Sequence, residues 1–449
     1  MESFELDKTD LSKLRKAIDG DDQLLAATLA EYHASEIAIL FENTNSEDRQ
    51  RIINLLEVEK ASEVIAEMSE EAHPEELLLQ LHPEKRTEIV EELDYDDATD
   101  IISQLDADEQ QEILEDLSAD DAESIRNLLS YDEETAAGLM NTQMIKVNID
   151  LTKKDAIDEI IRQSEEIEEF YTVFVVDDDG GFRGIVSLKD IIKAKGNVKI
   201  TDMVNPDAVY VKADTDQEEV AKLLSQYNLT SIPVVDENKK LLGRVTFDDV
   251  IDVMEDENTE DILKISGVSE DEELAGNWID AVKSRLPWLI INLGTAFLAS
   301  SVIRYFNETL DKLDVLSAYM TIIAGMGGNA ATQALAVTVR RISLFDLSDQ
   351  QAYRAVLKEF TVGMINGAVT GLIVLVVAYF FDANLMLGLV IFLAMTGNLI
   401  VAGITGSAIP LMLKRVGIDP AIASSIIITT FTDVFGFFLL LGLASKLLL

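Results

Sequence analysis

The chain has 449 residues, 82 of them acidic against 36 basic, for a formal net charge of -46, with no cysteine and three histidines. That balance excludes disulfides and thiolate metal sites, and it argues against a nucleic-acid partner, because binding phosphates needs clustered Lys and Arg. The charge is uneven: from Lys283 onward there are 9 acids and 11 bases, which leaves 73 acids and 25 bases before that point.

A polyanionic first part of this kind repels itself unless cations screen it. Any metal it holds must be bound through oxygen, which favours Mg²⁺ or Ca²⁺ over Zn²⁺. The opening MESFELDKTD is acidic and has no apolar h-region, so the chain reads as lacking a cleaved signal, with its N-terminal part in the cytoplasm.

Leu81, Leu93, Leu105, Leu117 and Leu129 fall at a constant interval of 12 residues. Each interval predicts a short helix, with Asp94 and Asp97, Asp106 and Glu109, and Ser118 and Asp121 at N-cap and N3 positions. Short amphipathic helices that cannot bury their leucines alone stack into a superhelical array, so residues 1–130 are expected to form an all-α acidic N-domain.

A second repeat follows with a period of 59. Val175, Val176, Asp177, Gly184, Ser187 and Asp190 match Val234, Val235, Asp236, Gly243, Thr246 and Asp249. Each copy reads as strand, turn, strand and helix. The segments FVVDDDGGFRGIVSLKDII and PVVDENKKLLGRVTFDDVI resemble tandem CBS domains, placed here at 138–200 and 201–254 with an α/β fold. The resemblance implies a regulatory pair that binds ATP or another adenine nucleotide, with Ser187, Asp190, Thr246 and Asp249 near the ribose. The same residues also have the chemistry of helix caps.

From Asp249 the sequence DDVIDVMEDENTEDILKISGV reads as one long acidic helix leading toward the membrane, over 249–277. Repulsion among its carboxylates destabilises such a helix unless a cation or partner surface intervenes.

Five nearly uncharged stretches then follow, Leu286–Ile303, Val315–Val339, Phe360–Phe381, Ala383–Leu413 and Pro420–Ser445, each long enough to cross a bilayer. The fourth is overlong and is expected to tilt, to end at the interface, or to break near Gly397 or Gly403. With the N-terminus inside, Lys283, Arg285, Arg340, Arg341, Arg354, Lys358, Lys414 and Arg415 flank the cytoplasmic side. This is the positive-inside pattern of a multi-pass cytoplasmic-membrane protein, and an odd number of spans puts the C-terminus outside.

Only Asp433 places a charge deep in a span; Thr429 stands one turn before it and Gly436 three residues after. A carboxylate at that depth faces a polar pathway as a rule. The second span contributes GMGGNAATQ, in which Gly328 permits close approach and Asn329 offers an uncharged oxygen. The lack of deep cationic residues disfavours an anion carrier, and the buried carboxylate disfavours a membrane-anchored sensor that transports nothing. No P-loop and no Ser, His and Asp set appears, so the chain is read as a non-enzyme.

The order of these parts, together with RLPWLIINL, GMGGNAATQ, KEFTVGMINGAVTG and DPAIASSIIITTFTDVFG, resembles the MgtE family of magnesium transporters over the whole chain. The resemblance implies a homodimer in the lipid bilayer that conducts Mg²⁺ past Asp433, Thr429, Asn329, Gly328 and Gly436. It also implies closure by cytoplasmic Mg²⁺ bound at Asp249, Asp252, Glu257, Glu260 and Asp261 on the connecting helix and at Asp216 and Glu218 on the second CBS copy. The sequence departs from the family pattern at Thr321 and Ala331, where proline and glycine are usual, and neither change removes a ligand type. The N-domain ligands are left unassigned at this level.

Overall fold

The computed structural model describes residues 13, 16–41, 44–69, 72–164, 167, 170–269, 278–345, 347–422 and 425–449. The chain divides into two compact units, residues 1–255 and 256–449. The fold class expected from the sequence holds: an all-α N-terminal array, two small α/β domains, a connecting helix and, among the described residues, five helices long and apolar enough to cross a membrane.

In the first unit, nine short helices run among the described residues from Asp22–Leu29 to Ala119–Leu128. Leu81, Leu93, Leu105 and Leu117 are buried in one continuous core, and Leu129 packs on its edge. The caps differ from one another. Ser118 accepts from the Asp121 backbone N–H, and the Asp106 N–H donates to Glu109 at 3.2 Å. Asp94 stands at the N-cap of Tyr95–Ser103 without making a side-chain cap bond, because its carboxylate belongs to the cluster described below.

Each α/β domain carries a three-stranded sheet. In the first, β1 (Lys146–Asn148) lies parallel to β2 (Thr172–Val176), which pairs antiparallel with β3 (Phe182–Ser187). The second repeats this with β4 (Val211–Lys212), β5 (Ser231–Val235) and β6 (Leu241–Thr246). Ser187 ends β3 and caps the helix that follows, while at the end of β6 the Asp249 carboxylate reaches back to accept from the Thr246 N–H. The Ser187 hydroxyl donates to Asp190 at 2.6 Å and accepts from the Asp190 N–H, and the Thr246 hydroxyl donates to Asp249 at 2.6 Å.

The connecting helix covers Phe247–Ser266 and ends where Gly267 turns to φ +76°, shorter than the expected 249–277. The left-handed turn at Gly267 stops the helix because only glycine adopts it without strain. Residues 270–277 of the expected helix lie outside the described residues.

In the second unit the spans are Trp278–Tyr305, Leu316–Leu344, Asp349–Asp382, Leu385–Arg415 and Ser425–Leu447. The third starts well before Phe360, and Pro420–Ile422 forms a separate 3₁₀ turn ahead of the fifth. The fourth is unbroken at Gly397 and Gly403; at about 1.5 Å per residue it outreaches a hydrocarbon core of about 30 Å, as do its neighbours.

The third and fourth spans form a hairpin turned by Ala383 in the left-handed region, with the Asn384 side chain capping Met386 and Leu387. Gly363, Gly367 and Gly371 recur one helical turn apart on the third span, and Cβ atoms there would stand 2.3 Å from the Leu399 carbonyl, 2.8 Å from the Thr396 Cα and 3.0 Å from the Phe392 carbonyl. Small residues at this spacing let two membrane helices approach backbone to backbone, which is where dispersion attraction replaces the absent hydrophobic drive.

Candidate ion path and cation sensor

The fifth span carries Asp433 near its middle. The side chain is half-buried, and its Oδ1 is enclosed with no hydrogen-bond partner among the described residues. One turn earlier, the Thr429 methyl packs against the second span, 3.2 Å from where a Cβ on Gly328 would sit. A side chain at Gly328 would therefore press on Thr429. Thr332 donates to the Gly328 carbonyl at 3.1 Å, and Asn329 is exposed on the neighbouring face. Gly436 is buried against Asn398 of the fourth span. The structure therefore brings Thr429 and Gly328 into contact and turns Gly436 inward, while Asn329 keeps an open flank.

In the first unit, Asp94, Asp96 and Asp97 each place a carboxylate oxygen within 4.8 Å of the others at the start of one helix. Asp96 is 8% exposed, and its Oδ1 is buried without a hydrogen-bond partner among the described residues. Burial raises the pKa of all three, to about 7 at Asp97; the charge of Asp249 adds to the push on Asp96 and Asp97, while Arg244 opposes it at Asp94. Asp249 itself is raised by burial, against the pull of its bond from Thr246. Three carboxylates held together under the charge of Asp249, one of them buried with an orphaned oxygen, suit an oxygen-bound divalent cation, which would supply the missing partner and the neutralising charge. The signal for this cluster was present as three acids in the four residues 94–97, but the N-cap reading of Asp94 concealed it.

The other expected regulatory positions have assigned places. Asp216 caps Gln217–Tyr227 by accepting from the Glu218 N–H at 2.9 Å. On the connecting helix, Asp252 is exposed and Glu257 half-buried. Glu260 pairs with Lys264, whose ammonium also reaches Asp419 at 3.0 Å. Asp261 accepts from Ser343 at 3.3 Å and is raised by burial and then by Asp419. Arg340 donates to Asn258 at 2.8 Å. The end of the connecting helix is therefore tied to the second span and to the turn before the fifth. The sequence reading passed over Lys264, Asp419 and Asn398.

A family profile described as "Divalent cation transporter" matches residues 320–443, "MgtE intracellular N domain" matches 32–134, and the CBS domain matches 136–197 and 200–256. The chain is 32% identical to the "Magnesium transporter MgtE" of Thermus thermophilus over 96% of each chain. It belongs to the MgtE family. The MgtE of Enterococcus faecalis is 36% identical over 70% of this chain and 69% of its own. Among solved structures, the cytosolic domain of the Mg²⁺ channel MgtE in complex with ATP superposes with a TM-score of 0.52 at 35% identity, covering 54% of this chain and 99% of that one. The soluble part of a magnesium transporter gives 0.51 at 27% identity, covering 56% of this chain and 98% of that one.

Proposed function

We propose that this MgtE chain forms a Mg²⁺-selective channel in the cytoplasmic membrane that closes when cytoplasmic Mg²⁺ binds its acidic half. The observation that carries the path is Asp433, a carboxylate in mid-span with an enclosed, unpartnered oxygen. Such a group persists in a membrane where it serves a permeant ion. Mg²⁺ sheds water reluctantly, so Asp433 would hold the hydrated ion through its waters, with Thr429, Asn329 and the backbone near Gly328 and Gly436 completing an oxygen-lined approach. A homodimer would present Asp433 twice and favour divalent over monovalent cations. The odd number of spans leaves the C-terminus outside.

The sensor reading rests on Asp94, Asp96, Asp97 and Asp249. Without a cation their repulsion drives the N-terminal helices away from the start of the connecting helix, and neutralisation draws them together. Asp252, Glu257, Glu260, Asp261, Asp216 and Glu218 would extend the same response along the helix and the second CBS domain. Ser187, Asp190, Thr246 and Asp249 are the positions proposed to meet an adenine nucleotide.

Mg²⁺ uptake into proteoliposomes tests the path. Asp433→Ala should abolish uptake while leaving the protein folded, and undiminished uptake in that variant would refute the assignment.

A further inference from the structure

The second, fourth and fifth spans meet at a side chain that the ion path as described does not use. Asn398, within the Leu385–Arg415 helix, is 0% exposed. Its Nδ2 donates to the Ile323 carbonyl at 3.1 Å, and its Oδ1 is buried with no hydrogen-bond partner among the described residues. The amide fills space vacated by glycines on two other helices: a Cβ on Gly327 would stand 2.3 Å from Nδ2, and one on Gly436 2.8 Å from it. Gly327 adjoins Gly328, on which Thr429 packs, and Gly436 follows Asp433 by three residues, on the same side of the helix.

An apolar side chain would fill this junction without leaving a carbonyl oxygen unmet in a low-dielectric interior, where such an oxygen is costly. An amide kept under that penalty calls for a reason beyond packing. We propose that Asn398 is a positioning residue for the ion path. Its donor is keyed to the turn of the second span that begins at Ile323, and its bulk is keyed to the two glycines, so it sets how far Asp433 stands from Asn329 and Thr332. The proposal rests on the assignment of Asp433 to the path.

Two variants keep the junction filled but remove the amide: Asn398→Leu, and Asn398→Ala combined with Gly327→Ala, in which the lost amide frees the place of the new Cβ. Mg²⁺ uptake into proteoliposomes is measured against Mg²⁺ concentration for wild type, both variants and Asp433→Ala, with Co²⁺ as competitor. Both variants should fold and insert. Their half-saturating Mg²⁺ should rise by about threefold or more, the factor one hydrogen bond between membrane helices represents, and discrimination between Mg²⁺ and Co²⁺ should change. Wild-type half-saturation and discrimination in either variant would reduce Asn398 to a space filler and overturn the proposal, as would failure of both variants to fold. Uptake surviving in Asp433→Ala would remove the underlying path reading instead, so the two failures are distinguishable.

Discussion

Asp97→Asn changes one atom's chemistry in the carboxylate cluster and leaves its shape. Burial and neighbouring carboxylates raise Asp97 from 3.8 to about 7, so ionising it in the folded protein at pH 8 carries a penalty of about 4 kcal/mol. In metal-free buffer the amide variant escapes that penalty, and its first unit should melt higher, by up to about 16 °C at 2–4 °C per kcal/mol for a unit of this size. Mg²⁺ should raise the wild-type transition strongly and that of the variant much less, since the variant has little repulsion left to neutralise and one ligand fewer. Scanning calorimetry of the full chain in nanodiscs, with and without Mg²⁺, reads both effects. An equal Mg²⁺-induced shift in the two proteins, or a variant less stable than wild type without metal, would refute the reasoning.

The same residue gives a pH dependence. Between pH 3.8 and about 7 the folded, metal-free unit binds more protons than the unfolded chain, so its stability is highest below that window and falls as pH rises through it. Mg²⁺ binding near pH 6.5 should then release protons, detectable by titration calorimetry in two buffers of different ionisation enthalpy, and a buffer-independent heat would contradict it. Gly363→Ala drives a Cβ to 2.3 Å from the Leu399 carbonyl, a backbone atom that cannot swing away; it should destabilise the hairpin of the third and fourth spans by about 1–3 kcal/mol in reversible detergent unfolding, and an unchanged midpoint would speak against that contact. Lys264→Gln removes the cation shared by Glu260 and Asp419, so uptake without cytoplasmic Mg²⁺ should rise and its inhibition by Mg²⁺ should become stronger, whereas an unchanged response would show the ion pair to be idle.

The architecture was legible because it is written in periods: leucines every 12 residues, a repeat of 59, and long apolar runs. Packing could not be read the same way. Gly363, Gly367 and Gly371 matter through what lies opposite them on the fourth span, and nothing in their own segment names Leu399 or Thr396. Asp94 holds the N-cap position read from the sequence but makes no cap bond there, because its carboxylate stands with those of Asp96 and Asp97, which also feel the charge of Asp249 from a distant part of the chain. Asn398 sits in an uncharged run whose glycines drew attention to a break, and its role arises from three helices at once. The connecting helix was overextended because acidic composition continues past Gly267, while a single φ of +76° ends it.

The central claim is that a Mg²⁺-conducting path is closed by Mg²⁺ on its acidic side. Single-channel recording from patches of the reconstituted full chain, with Mg²⁺ varied on the cytoplasmic face alone, tests it most directly. The account predicts openings that vanish as cytoplasmic Mg²⁺ rises, and that are already rare without Mg²⁺ when Asp97 and Asp249 are both replaced by Asn, because the amides leave little repulsion to hold the domains apart. Openings that ignore cytoplasmic Mg²⁺ in the wild type would contradict it.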